Sequence, residues 1–250
     1  MRPLLAFAVL LFTSSATIPA LADAPPMRHL VYSFTYGSQQ NVRARDASAY
    51  ATDGSGNIAP VASSGSSNYQ GALGDKGTMV VDVMREQPDK GLVVVISENA
   101  EVTRRAPPAT CVVYANTEVI CDPNKTVNPE EYTLLRFMAQ NFVDPNILDA
   151  KKHWGYDTSD GGMALKADYT IVHSDGQMMT IDEVRSLKRA GTQGQTTNVQ
   201  STINYDFGHA VPTAIAEYVT QRSDGGVGGS ATTIYQTNLK LVSDSLAKGT

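Results

Sequence analysis

The chain's two cysteines, Cys111 and Cys121, bracket the segment C-VVYANTEVI-C, in which two β-branched runs flank Ala115-Asn116-Thr117. A three-residue hairpin loop there pairs Val113 with Val119 and Val112 with Ile120, which sets the cysteines opposite one another. Opposed residues of an antiparallel pair have Cβ atoms about 4.5–5.5 Å apart, close to what a disulfide needs. The register thus predicts a structural cystine and a chain folded in an oxidising compartment. Redox pairs favour C-x-x-C at a helix start, and zinc sites need four closely spaced ligands. Neither pattern occurs, and no metal or cofactor is expected.

Around this hairpin the chain reads mostly as strands. Residues 29–36 alternate, with Leu30, Tyr32, Phe34 and Tyr36 on one face. Val199 to Phe207 alternates without a break, setting Val199, Ser201, Ile203, Tyr205 and Phe207 against Gln200, Thr202, Asn204 and Asp206, the pattern of a sheet with one dry and one wet face. The echo DKGTMVV (Asp75 to Val81) and DKGLVVV (Asp89 to Val95) predicts adjacent antiparallel strands turning around Gln87-Pro88-Asp89. Leu92 to Ile96 is apolar throughout and is expected to be covered on both faces. Ala167 to His173, Ala214 to Gln221 and Thr232 to Leu241 are further strands, while Met178 to Leu187 suits strand or helix. Ala51 to Gly77 is rich in Gly, Ser, Ala and Asn and reads as a long flexible loop.

Helix signals are few. Asn128 suits an N-cap, Pro129 the first helical position, and Glu130 with Glu131 the positive helix N-terminus. Leu134, Leu135, Phe137, Met138 and Phe142 then recur at helical spacing, so a helix is predicted from Asn128 to Val143, before Asp144-Pro145. A second short helix is predicted from Pro145 to Trp154. Eight to ten strands with one or two helices make the class mainly antiparallel β (α+β): a curved sheet or half-barrel with helices packed on it.

The N-terminus carries a secretory leader pattern: Arg2, an apolar run from Leu4 to Phe12, and Ala20-Leu21-Ala22. Cleavage is expected after Ala22, leaving residues 23–250 as a single β-rich domain. The apolar run falls short of the roughly 20 residues a spanning helix needs, so no transmembrane anchor is expected. A net charge of −5, with 42% hydrophobic and 18% charged residues, describes a globular chain without the basic clusters that bind phosphate backbones. The expected location is the periplasm or the exterior, and nucleic acid is an unexpected partner.

Catalytic signatures are lacking. No G-x-S-x-G, Walker loop or H-E-x-x-H occurs. GGVGG (Gly225 to Gly229) precedes a strand and reads as a hairpin turn, and the Ser245 to Lys248 S-x-x-K lies at the chain end. DTSDG (Asp157 to Gly161) lacks the twelve-residue framework of a calcium loop. His29, His153, His173 and His209 are scattered. An acid/base group could draw only on Asp206, His209 and Glu217.

The succession of long antiparallel strands, the helix after a hairpin and the late strand TTIYQTNLKL resemble the periplasmic lipoprotein-carrier half-barrels of the LolA and LppX-like group, over roughly Gly77 to Leu241. That resemblance implies a curved sheet around an apolar cavity plugged by helices and holding acyl chains. Those carriers open with a helix, whereas this chain goes almost at once to a strand, and no site residue carries over. The residues themselves favour a non-enzymatic envelope protein. Its lipid or other apolar or amphipathic ligand would meet Leu135, Met138, Phe142, Trp154, Tyr205 and Phe207. The rivals are an envelope protein that binds a protein partner through sheet edges or the long Gly/Ser loop, and a hydrolase.

Overall fold

The computed structural model describes residues 25–43, 49–52, 58–61, 68–89, 91–101, 107–139, 142–143, 152–160, 162–189, 194–224 and 230–246. The leader, its cleavage point, GGVGG and Lys248 lie outside these residues. In chain order the elements are β1 (Arg28–Arg43), β2 (Ala49–Thr52), β3 (Ile58–Val61), β4 (Asn68–Glu86), β5 (Leu92–Ala100), β6 (Ala109–Val113), β7 (Val119–Cys121) and α1 (Pro129–Leu135). There follow β8 (His153–Asp160), β9 (Met163–Asp175), β10 (Met178–Arg189), β11 (Gln195–Asp206), β12 (Val211–Asp224) and β13 (Ser230–Asp244). β2 and β3 form a separate hairpin.

The other eleven strands make one open antiparallel sheet in the order β7-β6-β5-β4-β1-β13-β12-β11-β10-β9-β8. It is two meanders joined where the first and last strands pair. The ladders are long: β4 has 19 residues and β1 has 16, or about 60 and 50 Å at the usual rise per residue. β7 and β8 are the two outer edges, so the chain between them must cross from one side of the sheet to the other. α1 lies on that crossing and is thereby laid against the inner face.

The sheet curls until its edges meet. Tyr156 of β8 donates its hydroxyl to the Ala115 carbonyl in the β6–β7 loop at 3.0 Å, and the Tyr169 hydroxyl of β9 stands 3.5 Å from Thr117 Oγ1. Register shifts at Val31/Tyr32, Val83/Arg85, Thr180/Ile181 and Asn204/Tyr205 add local bends.

The cystine hairpin has the predicted register, with Cys111↔Cys121, Val112↔Ile120 and Val113↔Val119, and an S–S bond of 2.04 Å. Its loop closes through Thr117 N–H to the Tyr114 carbonyl, with Thr117 in the left-handed region at φ 65°. β4 and β5 pair as the echo predicted, and Val93 is buried on the face away from α1. In β11, Val199, Ser201, Ile203 and Tyr205 are buried and their alternates exposed.

Four expectations are corrected. The stretch read as loop over 51–77 contains β3 and, from Asn68, the first half of β4, because β1 extends to Arg43 and supplies a partner for it. The helix stops at Leu135; beyond it, Phe137 N–H bonds to Leu134 and Met138 N–H to Leu135, a tightening into turns. Trp154 lies in β8 and not in a second helix, the rest of that stretch falling outside the described residues. With one seven-residue helix among the described residues, the class is antiparallel β and scarcely α+β.

Candidate functional site

The outward side chains show which face is wet. Ser33 and Thr35 of β1, Gln200, Thr202 and Asn204 of β11, and Asn238 and Lys240 of β13 alternate with the buried set. The buried apolar cluster points inward, onto the crossing segment, while Val172, Val184 and Val242 stand exposed on the outer face.

That segment is built to be swallowed. Asn128 N–H donates to Glu131 Oε2 at 2.8 Å, the reciprocal half of a capping box that starts α1. From Thr133 to Ala139 every side chain is buried, as are Phe142 and Val143. Phe142 is the hub of an aromatic cluster, with ring centroids 5.3 Å from Phe137, 5.8 Å from Trp154, 5.5 Å from Tyr169 and 5.6 Å from Tyr205. Trp154 stacks on Tyr169 at 5.2 Å. The structure thus gathers Leu135, Met138, Phe142, Trp154 and Tyr205 into one core cluster, with Phe207 half-buried against it. Each fully buried aromatic or aliphatic side chain contributes roughly 1.5–3 kcal/mol.

A polar rung crosses this apolar interior. Strand register places Tyr169, Glu183, Ser201, Glu217, Thr237, Tyr36 and Asp75 side by side from β9 through to β4, and all seven are buried. α1 and the turn after it meet the rung with Thr133 and Arg136. Arg136 donates to Glu183 Oε1 at 2.6 Å and to Glu217 Oε2, and Thr133 donates to Glu217 Oε1 at 2.6 Å. Ser201 donates to Glu183 Oε2 at 2.6 Å, and Tyr169 to Glu183 Oε1 at 3.0 Å.

Burial alone would lower the Arg136 pKa, but Glu183 and Glu217 outweigh it and raise the group above its ordinary value. Burial likewise works to raise Glu183, yet Arg136, Arg185 and the Ser201 hydroxyl hold that carboxyl below its ordinary value. Tyr169 is pushed upward, by burial first and by Glu183 second. Arg136 and Glu183 are thus both shifted toward their charged forms, and the cluster ties the crossing segment to β10 and β12.

The three residues of the hydrolase reading divide. Asp206 and His209 meet, with His209 Nδ1 2.7 Å from Asp206 Oδ2 and His209 N–H donating to Asp206 Oδ1 at 3.0 Å. They staple the β11–β12 turn, beside an Arg28–Asp244 pair whose Arg28 also donates to the His209 carbonyl at 2.7 Å. Glu217 belongs to the interior rung. The sequence reading missed Glu183 and Arg136 as site residues. Their signal was phase: each is a charged residue at an inward position, Glu183 between Ile181 and Arg185 on the alternation of β10, Arg136 inside the run Leu134 to Met138.

A second feature lies on the wet face. A hollow of about 620 Å³ runs over β10 to β13, bordered by the outward Asp182, Val184, Gln200, Thr202, Ala216, Tyr218, Gln236 and Asn238 and also by Glu183, Ser201 and Glu217 of the rung. A neighbouring hollow of about 300 Å³ extends over β1 and β4 and shares Tyr218 and Gln236.

The fold and site define a class: a curled antiparallel sheet whose inner face is filled by its own crossing segment and anchored by a buried arginine. No family model and no curated protein matches the sequence. Among solved structures the chain is similar to lipovitellin, from a structure concerned with its lipid–protein interactions, at 8% identity and TM-score 0.41, over 88% of this chain and 25% of that one. It is also similar to an outer membrane channel from Pseudomonas putida F1, at 10% identity and TM-score 0.27, over 90% of this chain and 99% of that one. The chain thus spans a quarter of the lipovitellin chain, and superpositions of this quality assign neither family nor function. Among the described residues no helix is long and apolar enough to cross a membrane.

Proposed function

We propose that this is an exported, non-enzymatic binding protein that takes an apolar or amphipathic molecule, such as a lipid acyl chain, onto the inner face of its sheet. The crossing segment is a plug, and Leu135, Met138, Phe142, Trp154, Tyr205 and Phe207 form the surface the ligand meets when the plug yields. The observation that carries this reading is the construction of the plug. Its apolar side chains are exchangeable for an acyl chain, since hydrophobic contact is non-directional, while Thr133 and Arg136 hold it at the polar rung. The cystine suits an oxidising compartment.

The chain's single tryptophan, Trp154, stands inside the cluster and reports on it. Titration with palmitate or lysophosphatidylcholine is expected to change Trp154 emission saturably and to give a one-to-one adduct in native mass spectrometry. Phe142→Ala, which removes the hub ring, is expected to bind more tightly. Absence of both adduct and emission change, in the native protein and in Phe142→Ala alike, overturns the reading.

A further inference from the structure

The two hollows on the wet face meet at Tyr218 and Gln236 and form one groove across six strands. Its side chains come in rows fixed by register. One row runs Gln236, Tyr218, Gln200, Val184 and the next Asn238, Ala216, Thr202, Asp182, both from β13 to β10. Adjacent strands lie about 4.8 Å apart, so three of the four positions in each row offer a polar group, at spacings close to the length of one pyranose unit or twice that. The floor is low because small residues sit where others would stand: Ala216, and Gly37, whose missing Cβ would meet nothing within 4 Å.

The lining chemistry selects the ligand. Amide side chains each donate and accept hydrogen bonds, which matches a ligand dense in hydroxyl groups that also do both. Among the described residues, the side-chain amides of Gln200 and Gln236 and the Tyr218 hydroxyl make no hydrogen bond to the protein. Tyr218, 39% exposed, offers a ring face to the C–H side of a sugar, the amphipathic role for which half-exposed aromatics are suited. Neither hollow is lined by Lys or Arg, and of the carboxylate residues along it Asp182 is on the wet face while Glu183 and Glu217 are paired with Arg136 on the inner side, so nothing in the groove complements a phosphate. An acyl chain would strip water from the amides without replacing their hydrogen bonds.

We infer that this outer groove binds a neutral oligosaccharide, with Tyr218 as the stacking platform and Gln200, Gln236, Asn238 and Asp182 as hydroxyl partners. The site lies on the opposite face from the plug, so it stands or falls separately from acyl-chain binding.

The test is isothermal titration and saturation-transfer NMR of the full-length folded protein with cello-, chito-, malto- and manno-hexaose. At least one is expected to bind. Tyr218→Ala is expected to weaken that binding about tenfold, the loss of one aromatic contact, while Tyr218→Phe keeps most of it. Gly37→Trp fills the groove from an unobstructed position and is expected to weaken binding at least as much. Far-UV circular dichroism and the urea midpoint serve as the fold control and are expected to be unchanged in Tyr218→Ala. No binding by any of the four sugars at millimolar concentration overturns the inference, and so does binding that survives both Tyr218→Ala and Gly37→Trp.

Discussion

Arg136 is the residue on which the interior turns. It lies wholly buried between Glu183 and Glu217, and removing it leaves two carboxylates in the core without their counter-charge. Arg136→Met is expected to destabilise the protein by about 3–5 kcal/mol in urea unfolding, because the penalty is that of unpaired buried charge. Replacing Arg136, Glu183 and Glu217 together by apolar residues should cost far less. The same cluster sets the acid limit. Glu183 is held below its ordinary value of 4.5, so its contribution is intact above that pH and is lost as pH falls beneath it toward the folded-state value. Asp206 and Asp244 are displaced in the same direction, but are more exposed and add less. Glu183→Gln is therefore expected to flatten the fall in stability below about pH 4.5, measured as urea midpoint against pH. At Thr117 the strain is in the backbone. A β-branched residue at φ 65° is costly, and its hydroxyl gains only a long contact with Tyr169. Thr117→Gly is expected to raise stability by about 1 kcal/mol, read as an increase in Tm.

At the scale of elements, α1 has seven residues, too few to persist alone. A peptide covering residues 126–143 is expected to show no helical circular dichroism in water, and helical signal there would mean that local propensity, not the sheet, builds the element. The cap is worth keeping even so: Glu131→Ala removes the acceptor of Asn128 N–H and is expected to cost about 1 kcal/mol. The same dependence on tertiary partners divides what the sequence revealed from what it hid. The register of the cystine hairpin was legible because two cysteines and a three-residue loop leave one solution. So was the face of β11, where alternation runs unbroken from Val199 to Tyr205. The first half of β4 was hidden, since NYQGALGDKG has little strand propensity and is held by its pairing with β1. The helix was overdrawn because Phe137, Met138 and Phe142 keep a helical spacing in a segment where every side chain from Thr133 to Ala139 is buried, so spacing no longer reports a face. The Arg136 cluster needed three strands and a crossing segment to be aligned before its members became neighbours.

For the whole molecule, the decisive event is the meeting of the two sheet edges. β7 has three residues, and its hold on β6 rests on a short ladder and the cystine. The tip of that hairpin is what Tyr156 and Tyr169 reach from β8 and β9, and the chain leaving β7 becomes the plug. Edge contact, plug and disulfide are thus one mechanical unit. If so, their energies should not add, because groups that share one support couple. Replacing both cysteines by serine is expected to cost about 2–3 kcal/mol for so short a loop. Tyr156→Phe deletes the hydroxyl that bridges to Ala115, and is expected to cost about 1 kcal/mol when the cystine is intact. In the serine background, where the hairpin tip is no longer held in place, Tyr156→Phe should cost close to nothing. A double-mutant cycle by urea unfolding measures the coupling directly. Equal costs for Tyr156→Phe in both backgrounds would mean that the curl of the sheet is set by its bulges and inner packing, with the cystine serving its own strand pair alone.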